Sequence, residues 1–222
     1  MQRIFVSFKS KSKSGRSASK GQSFVELSLV VLLLALLVAG IAEYGFLLNH
    51  YLNVIDGARE GARYGSNFDP FPPCGSTSAT VDADGVCSDF YENTALETEH
   101  VIYPVSLDPA NKDDILISFF VCNSDCSDLD RYPSAVNGWS WSEHIKSAGR
   151  YQNSKQDKSS ILQRMITGAP NMHVLLVEVF YNYPQTLKMP LFEQVIPDPI
   201  PVYTYAIMPI KNLTCPSGPG TC

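Results

Sequence analysis

Apolar and polar positions divide this chain into an unpatterned apolar run, a small-residue helix and a body of alternating segments. From Leu27 to Leu48 the only charged residue is Glu43, and apolar positions follow one another without alternation. As a helix rising 1.5 Å per residue, this stretch reaches about 33 Å, enough for a hydrocarbon core. Helical pattern continues beyond it: Asn49 to Tyr64 contains no proline, and Tyr51, Val54, Ile55 and Ala58 form an apolar stripe at spacings of three and four. Gly57, Gly61 and Gly65 recur every fourth residue, with Ala58 and Ala62 beside them. Exposed helical glycines cost about 1 kcal/mol each relative to alanine, so this face is expected to be packed. Its partner is either the chain's own domain or a neighbouring subunit. Residues 22–66 are therefore predicted as one helix, with a membrane segment at about 27–48. Asn67 to Pro73, with three prolines, ends it.

Beyond the helix the period changes. Ile115 to Cys122 is β-branched and aromatic, and in His173 to Tyr183 the positions Leu175, Val177, Val179, Tyr181 and Tyr183 make one apolar face. Val202 to Ile210 is a third strand, with Tyr203, Tyr205 and Ile207 on one side. It follows a proline-rich connection, 196–201, that cannot be a central strand. The last two strands are expected to pair antiparallel. A shorter strand is predicted over Val101–Leu107, short helices over Asp89–Glu99 and Ser159–Gly168 with Ser159 or Ser160 as cap, and a polar loop over Asn123–Trp141. The fold class is α+β: a long N-terminal transmembrane helix, then an antiparallel sheet domain with short helices and disulfide-stapled loops.

Charge changes this picture by giving it an orientation. Arg3, Lys9, Lys11, Lys13, Arg16 and Lys20 precede the first acid, leaving 11 cations against 22 anions beyond residue 20, a net −11. Cationic flanks stay in the cytoplasm, so the acidic body is expected outside. The predicted organisation is a basic leader at 1–21, the helix at 22–66 and an extracytoplasmic α+β domain at 67–222, anchored by a single pass in the inner or cytoplasmic membrane. Nucleic acid is not an expected partner, because the only basic cluster is this Ser/Lys leader.

Six cysteines, Cys74, Cys87, Cys122, Cys126, Cys215 and Cys222, all follow the apolar run. An even number on the outer side reads as disulfides, and the pairing 74–87, 122–126 and 215–222 is favoured among fifteen. No CxxC pair supports zinc. Asp82-Ala83-Asp84-Gly85 lacks the remaining ligands of a calcium loop and reads as a turn.

Catalytic motifs are missing from the sequence: there is no GxSxG, P-loop, GxGxxG or HExxH, and His50, His100, His144 and His173 are scattered. No catalytic residue, metal or cofactor is expected. Glu26, at the lip of the apolar run, lies either at headgroup level or paired with a positive group in an assembly.

Gly21-Gln22-Ser23-Phe24-Val25-Glu26 resembles the processing site of type IV pilin-like proteins: a basic leader, glycine before the cut, glutamate at the fifth mature position, then an apolar helix. A closer resemblance is to TadE-like minor pilins (pseudopilins) of the tight-adherence branch, whose A-R-x-G-A-R stretch is matched by Ala58-Arg59-Glu60-Gly61-Ala62-Arg63. The likeness covers residues 20–65. Leu27 stands where major pilins of the branch prefer Tyr, and the body is far larger than theirs. The resemblance implies cleavage by prepilin peptidase between Gly21 and Gln22, a charge pair from Glu26 to a neighbour's N-terminal amine, and partners among other pilins, assembly membrane proteins and the lipid bilayer. It implies a structural role in adhesive pili. The competing readings are a signal-anchored extracytoplasmic binding protein and a membrane-tethered hydrolase.

Overall fold

The computed structural model describes residues 19–122, 128–165, 173–188, 196–211 and 213. In chain order the elements are α1 (Ser19–Gly65), α2 (Ser88–Ile102), a 3-10 turn (Pro109–Asn111), β1 (Asp114–Cys122), β2 (Leu129–Tyr132), β3 (Trp139–Ser140), α3 (Trp141–His144), α4 (Lys158–Leu162), β4 (Val174–Tyr183) and β5 (Ile200–Pro209). Two compact units emerge, one ending at Tyr44 and the other starting at Gly45.

The first unit is the apolar part of α1, long and apolar enough to cross a membrane and with none of that stretch buried in protein. Its valines and all of its leucines except the half-buried Leu36 are exposed, which in water would be a large uncovered apolar surface.

The second unit is built on a sheet whose strands run β2-β1-β4-β5, with β3 also pairing to β1, all antiparallel. Ile117 of β1 faces Val177 of β4, which faces Ala206 of β5. This register aligns the apolar alternation of all three strands. Ile115, Ile117 and Phe119 join Leu175, Val177 and Val179 in one core with Val54, Ala58 and Ala62 of α1 and Phe90, Tyr91 and Ala95 of α2. The opposite face carries a second cluster, including Phe120, Leu129, Leu176 and Ile161 of α4. β4 is buried on both faces, which explains why HVLLVEVFYNY reads as nearly continuous apolar sequence. β5 is at one end of the strand order, where Pro201 can be tolerated.

Three expectations change. Val101–Leu107 is not a strand: Val101 and Ile102 complete α2, with Ile102 fully buried, and Pro104 follows where a ladder donor would be needed. The Asn123–Trp141 loop contains β2 and β3; Leu129 and Trp139 are buried as they pair with β1, a long-range contact that local composition does not encode. α4 starts at Lys158, and its cap is Asp157, whose carboxylate accepts from the Ser160 N–H, in place of Ser159 or Ser160. β5 does place Tyr203, Tyr205 and Ile207 on one side; it is the outer side, and Val202, Thr204 and Ala206 are the buried residues of the strand.

His173, just before β4, is buried, its Nδ1 has no hydrogen-bond partner among the described residues, and burial lowers its pKa below the usual 6.5. The unfolded chain therefore binds a proton that the folded chain resists, and stability falls as pH drops below about 6.5. His173→Gln is expected to flatten the thermal-melting profile between pH 7 and 5. An unchanged slope would assign the acid sensitivity elsewhere.

Candidate functional site: the small-residue face and the N-terminal junction

The glycine ladder of α1 meets α2 of the same chain. Gly57 lies against Ile102, Gly61 against Thr98, and Gly65 against Thr94 and Leu175. Because ascending positions on α1 meet descending positions on α2, the helices run antiparallel with matching four-residue spacing. A Cβ on Gly57 would overlap the Ile102 side chain, and one on Gly61 the Thr98 hydroxyl; on Gly65 it would sit 2.6 Å from Leu175 Cδ2 and Thr94 Oγ1. Ala58 and Ala62 are fully buried on the same side. Thr94 and Thr98 donate their hydroxyls to the carbonyls of Phe90 and Thr94, each at 2.7 Å, so these polar atoms are satisfied within α2. The partner spacing, Thr94-x3-Thr98-x3-Ile102, was present in the sequence as a four-residue repeat but carries no glycine to flag it.

At the other end of α1, Gly21 and Gln22 lie within its first turns, and Gln22 Nε2 donates to Glu26 Oε1 at 3.2 Å. Both side chains are exposed. Residues 1–18 of the basic leader lie outside the described residues.

Cys74 and Cys87 are joined in a disulfide, closing the loop between α1 and α2. With Asp89 they form a cluster of potential metal ligands, but two sulfurs bonded to each other offer no thiolate. Cys122 is also disulfide-bonded. Cys126, Cys215 and Cys222, and so the pairings 122–126 and 215–222, lie outside the described residues. The Asp82–Gly85 segment is a turn: Asp82 Oδ1 accepts from the Asp84 and Val86 N–H groups, and the Asp84 carboxylate accepts from Ser134.

A serine, a histidine and an aspartate do approach one another at β3–α3. Ser140 Oγ donates to Asp114 Oδ2 at 2.8 Å and accepts from the Glu143 N–H, while His144 Nδ1 bonds the Ser140 carbonyl. This is helix-cap wiring: the hydroxyl faces the carboxylate, the imidazole faces backbone, and Ser140 and Asp114 are fully buried. Burial also pushes the Asp114 carboxyl upward, partly offset by hydrogen bonds from Ser142 and Ser140.

On the same face of the sheet as Asp114 and Ser140, Glu178 is fully buried and accepts from Tyr203 Oη at 2.7 Å and the Lys155 N–H at 2.9 Å. Arg131 donates to Ser118 Oγ at 2.8 Å, and burial lowers its pKa. These buried polar groups were not singled out in the sequence, because one glutamate inside an apolar strand and one arginine in a polar loop do not announce each other.

Among the described residues, one membrane-length apolar helix at the N-terminal side, whose continuation packs glycine-by-glycine on a disulfide-closed α+β body, suggests a single-pass membrane anchor. Residues 21–63 match the family model described as TadE-like protein, and the match suggests association with the Tad pilus system. The matched stretch holds the Gly21–Gln22 junction, the apolar helix and the A-R-x-G-A-R segment, and ends before the α+β body. No curated protein and no solved structure matches the chain.

Proposed function

We propose that the chain is a structural minor pilin, or pseudopilin, of a tight-adherence pilus, without catalytic activity. What carries this reading is the co-linear order of basic leader, Gly21–Gln22 junction, Glu26 and apolar helix inside a segment that matches the TadE-like family. Prepilin peptidase cuts between Gly21 and Gln22 on the cytoplasmic side, and the C-terminal body faces outward. The mature helix stays in the bilayer until assembly proteins draw it among other pilins. There Glu26 exchanges its Gln22 side-chain contact for a neighbour's N-terminal ammonium, an attraction strengthened away from bulk water.

Intact-mass measurement of the membrane-extracted protein, from cells with and without the peptidase, tests the processing step. The expected result is loss of residues 1–21 only when the peptidase is present. An N-terminus indifferent to the peptidase would sink it, and a mature chain starting near Ile41 would instead mark signal-peptidase cleavage and the extracytoplasmic binding protein.

A further inference from the structure

The apolar run that begins at Leu27 ends at Leu48, and its last residues, Gly45 to Leu48, belong to the same unit as the sheet. Half-buried Leu47 packs against the main core of that unit. Just beyond it, His50 Nδ1 lies 3.0 Å from Tyr181 Oη, and the His50 ring meets Tyr183 edge-on with centroids 5.1 Å apart. At the other end of the packed stretch Gly65 lies against Leu175. α1 and β4 therefore run antiparallel over matched lengths: His50 to Gly65 rises about 22 Å as helix, and Leu175 to Tyr181 spans about 20 Å as strand. The C-terminal end of β4 is level with the end of the apolar run.

Tyr183 is the last residue of β4 to pair with β5, and the chain continues past that level. Buried Gln185 donates its backbone N–H to Asp198 Oδ1 and its side-chain amide to the carbonyls of Ile196 and Pro197. These bonds hold 184–188 and 196–199 together as a cap on this end of the sheet. Leu187 and Ile196 of the cap are 41% and 37% exposed, and Lys188 is exposed with them. Lys112 is exposed at the same end, where the preceding Asn111 carbonyl accepts from Asn182 Nδ2. Among the described residues neither lysine is in an ion pair. Carboxylates here turn to the backbone: Asp113 accepts from the Asp108 and Asn182 N–H groups, and Asp198 from that of Gln185. Two exposed apolar side chains on a water-facing surface need no explanation, but these sit where a membrane segment ends.

We propose that this end of the body rests on the phospholipid headgroup layer of the bilayer that α1 crosses. The inference rests on reading α1 as a membrane anchor and is independent of the pilus assignment. The headgroup layer is about 5–7 Å deep on each side of the hydrocarbon core, so a surface that starts level with Leu48 and His50 lies within it. Leu187 and Ile196 leave water for the boundary between headgroups and acyl chains. Lys112 and Lys188 keep their ammonium groups on phosphate oxygens, their stems lying along the apolar surface. Between Leu47 and Val54 the helix contains neither proline nor glycine, so no hinge of that kind lets the body back away from the membrane. A protein partner would first have to displace lipid from a surface that an unbroken helix holds against it.

The test uses the full chain in phosphatidylcholine nanodiscs that carry a nitroxide either on the headgroup or deep in the acyl chain, with one tryptophan added at a time. Trp139 and Trp141 are buried, and the unaltered protein supplies their emission as background. Leu187→Trp and Ile196→Trp are expected to lose most of their added emission to the headgroup nitroxide; two positions guard against damage by either replacement. Phe68→Trp, past the far end of α1, is expected to lose none. Leu37→Trp, in the middle of the apolar run, reports the anchor separately and is expected to be quenched by the acyl-chain nitroxide. Quenching at 37 but at neither 187 nor 196 would overturn the headgroup contact and leave the anchor standing. Blue-shifted emission at both positions, still unquenched, would name protein as the cover in place of lipid. Equal headgroup quenching at 68 would also overturn the contact, since the nitroxide would then reach the whole body. A tryptophan at 37 untouched by the deep nitroxide would overturn the anchor reading, and the contact with it.

Discussion

Gly61→Val is expected to destabilise the second unit by about 3 kcal/mol, a large share of the 5–15 kcal/mol that holds a typical domain together. Valine places Cβ where the Thr98 hydroxyl sits, and that hydroxyl is tied at 2.7 Å to the Thr94 carbonyl, so it cannot turn aside without losing its bond. Even Gly61→Ala, which gains about 1 kcal/mol of helix propensity, must push Thr98 away and is expected to be net destabilising. Two controls make the cause visible. Gly45→Ala meets nothing within 4 Å and is expected to be neutral or slightly stabilising. Thr98→Ala, combined with Gly61→Val, removes the atom in the way and is expected to recover at least half of the loss. Denaturant melts of these four variants and of Thr98→Ala alone, in a mild detergent, measure each term. If the loss in the double variant equals the sum of the Gly61→Val and Thr98→Ala losses, the coupling energy of the cycle is zero and the damage from Gly61→Val arises somewhere other than the α1–α2 contact.

Replacing Cys74 and Cys87 together by serine is expected to cost about 3 kcal/mol, the chain-entropy value for a loop of this size. The cost is not confined to the unfolded state. Just before the cross-linked loop lies Phe71, 1% exposed, whose ring meets Phe119 and Tyr132 edge-on, and the Cys87 N–H donates to the Pro70 carbonyl at 2.8 Å. Without the cross-link, these contacts must hold the loop by themselves. Limited proteolysis should therefore show new cleavage between residues 75 and 85 in the double variant while the β4–β5 hairpin stays protected. A reducing agent should reproduce the pattern in the unaltered protein. A melt unchanged by both treatments would mean that Phe71 and the backbone bonds alone fix the loop.

Long, strongly periodic elements were legible in the sequence, and elements made by distant pairing were not. The α1 helix runs from Ser19 to Gly65 against a predicted 22–66, because a run without proline and with a Pro-rich stop leaves little choice. The alternating face of β4 and its antiparallel pairing with β5 follow from the apolar alternation of both segments. By contrast, Leu129 and Trp139 look like loop residues until β1 is beside them, and Val101-Ile102 looks like the start of a strand until Gly57 shows why Ile102 must end a helix. The site was legible to a similar depth. The glycine spacing revealed that α1 needed a close neighbour, but two alternatives remained because a small-residue face does not specify which helix fills it.

Filling the glycine ladder from within has a consequence for what α1 shows the outside. With Gly57, Ala58, Gly61, Ala62 and Gly65 turned inward, the exposed positions of that stretch are Leu52, Asp56, Arg59 and Arg63, again spaced at three and four. A molecule that settles against this side of the helix finds acid and base around a single leucine, where close backbone approach is blocked by long side chains. Its grip would be governed by ionic strength, fading as salt shortens the reach of each charge.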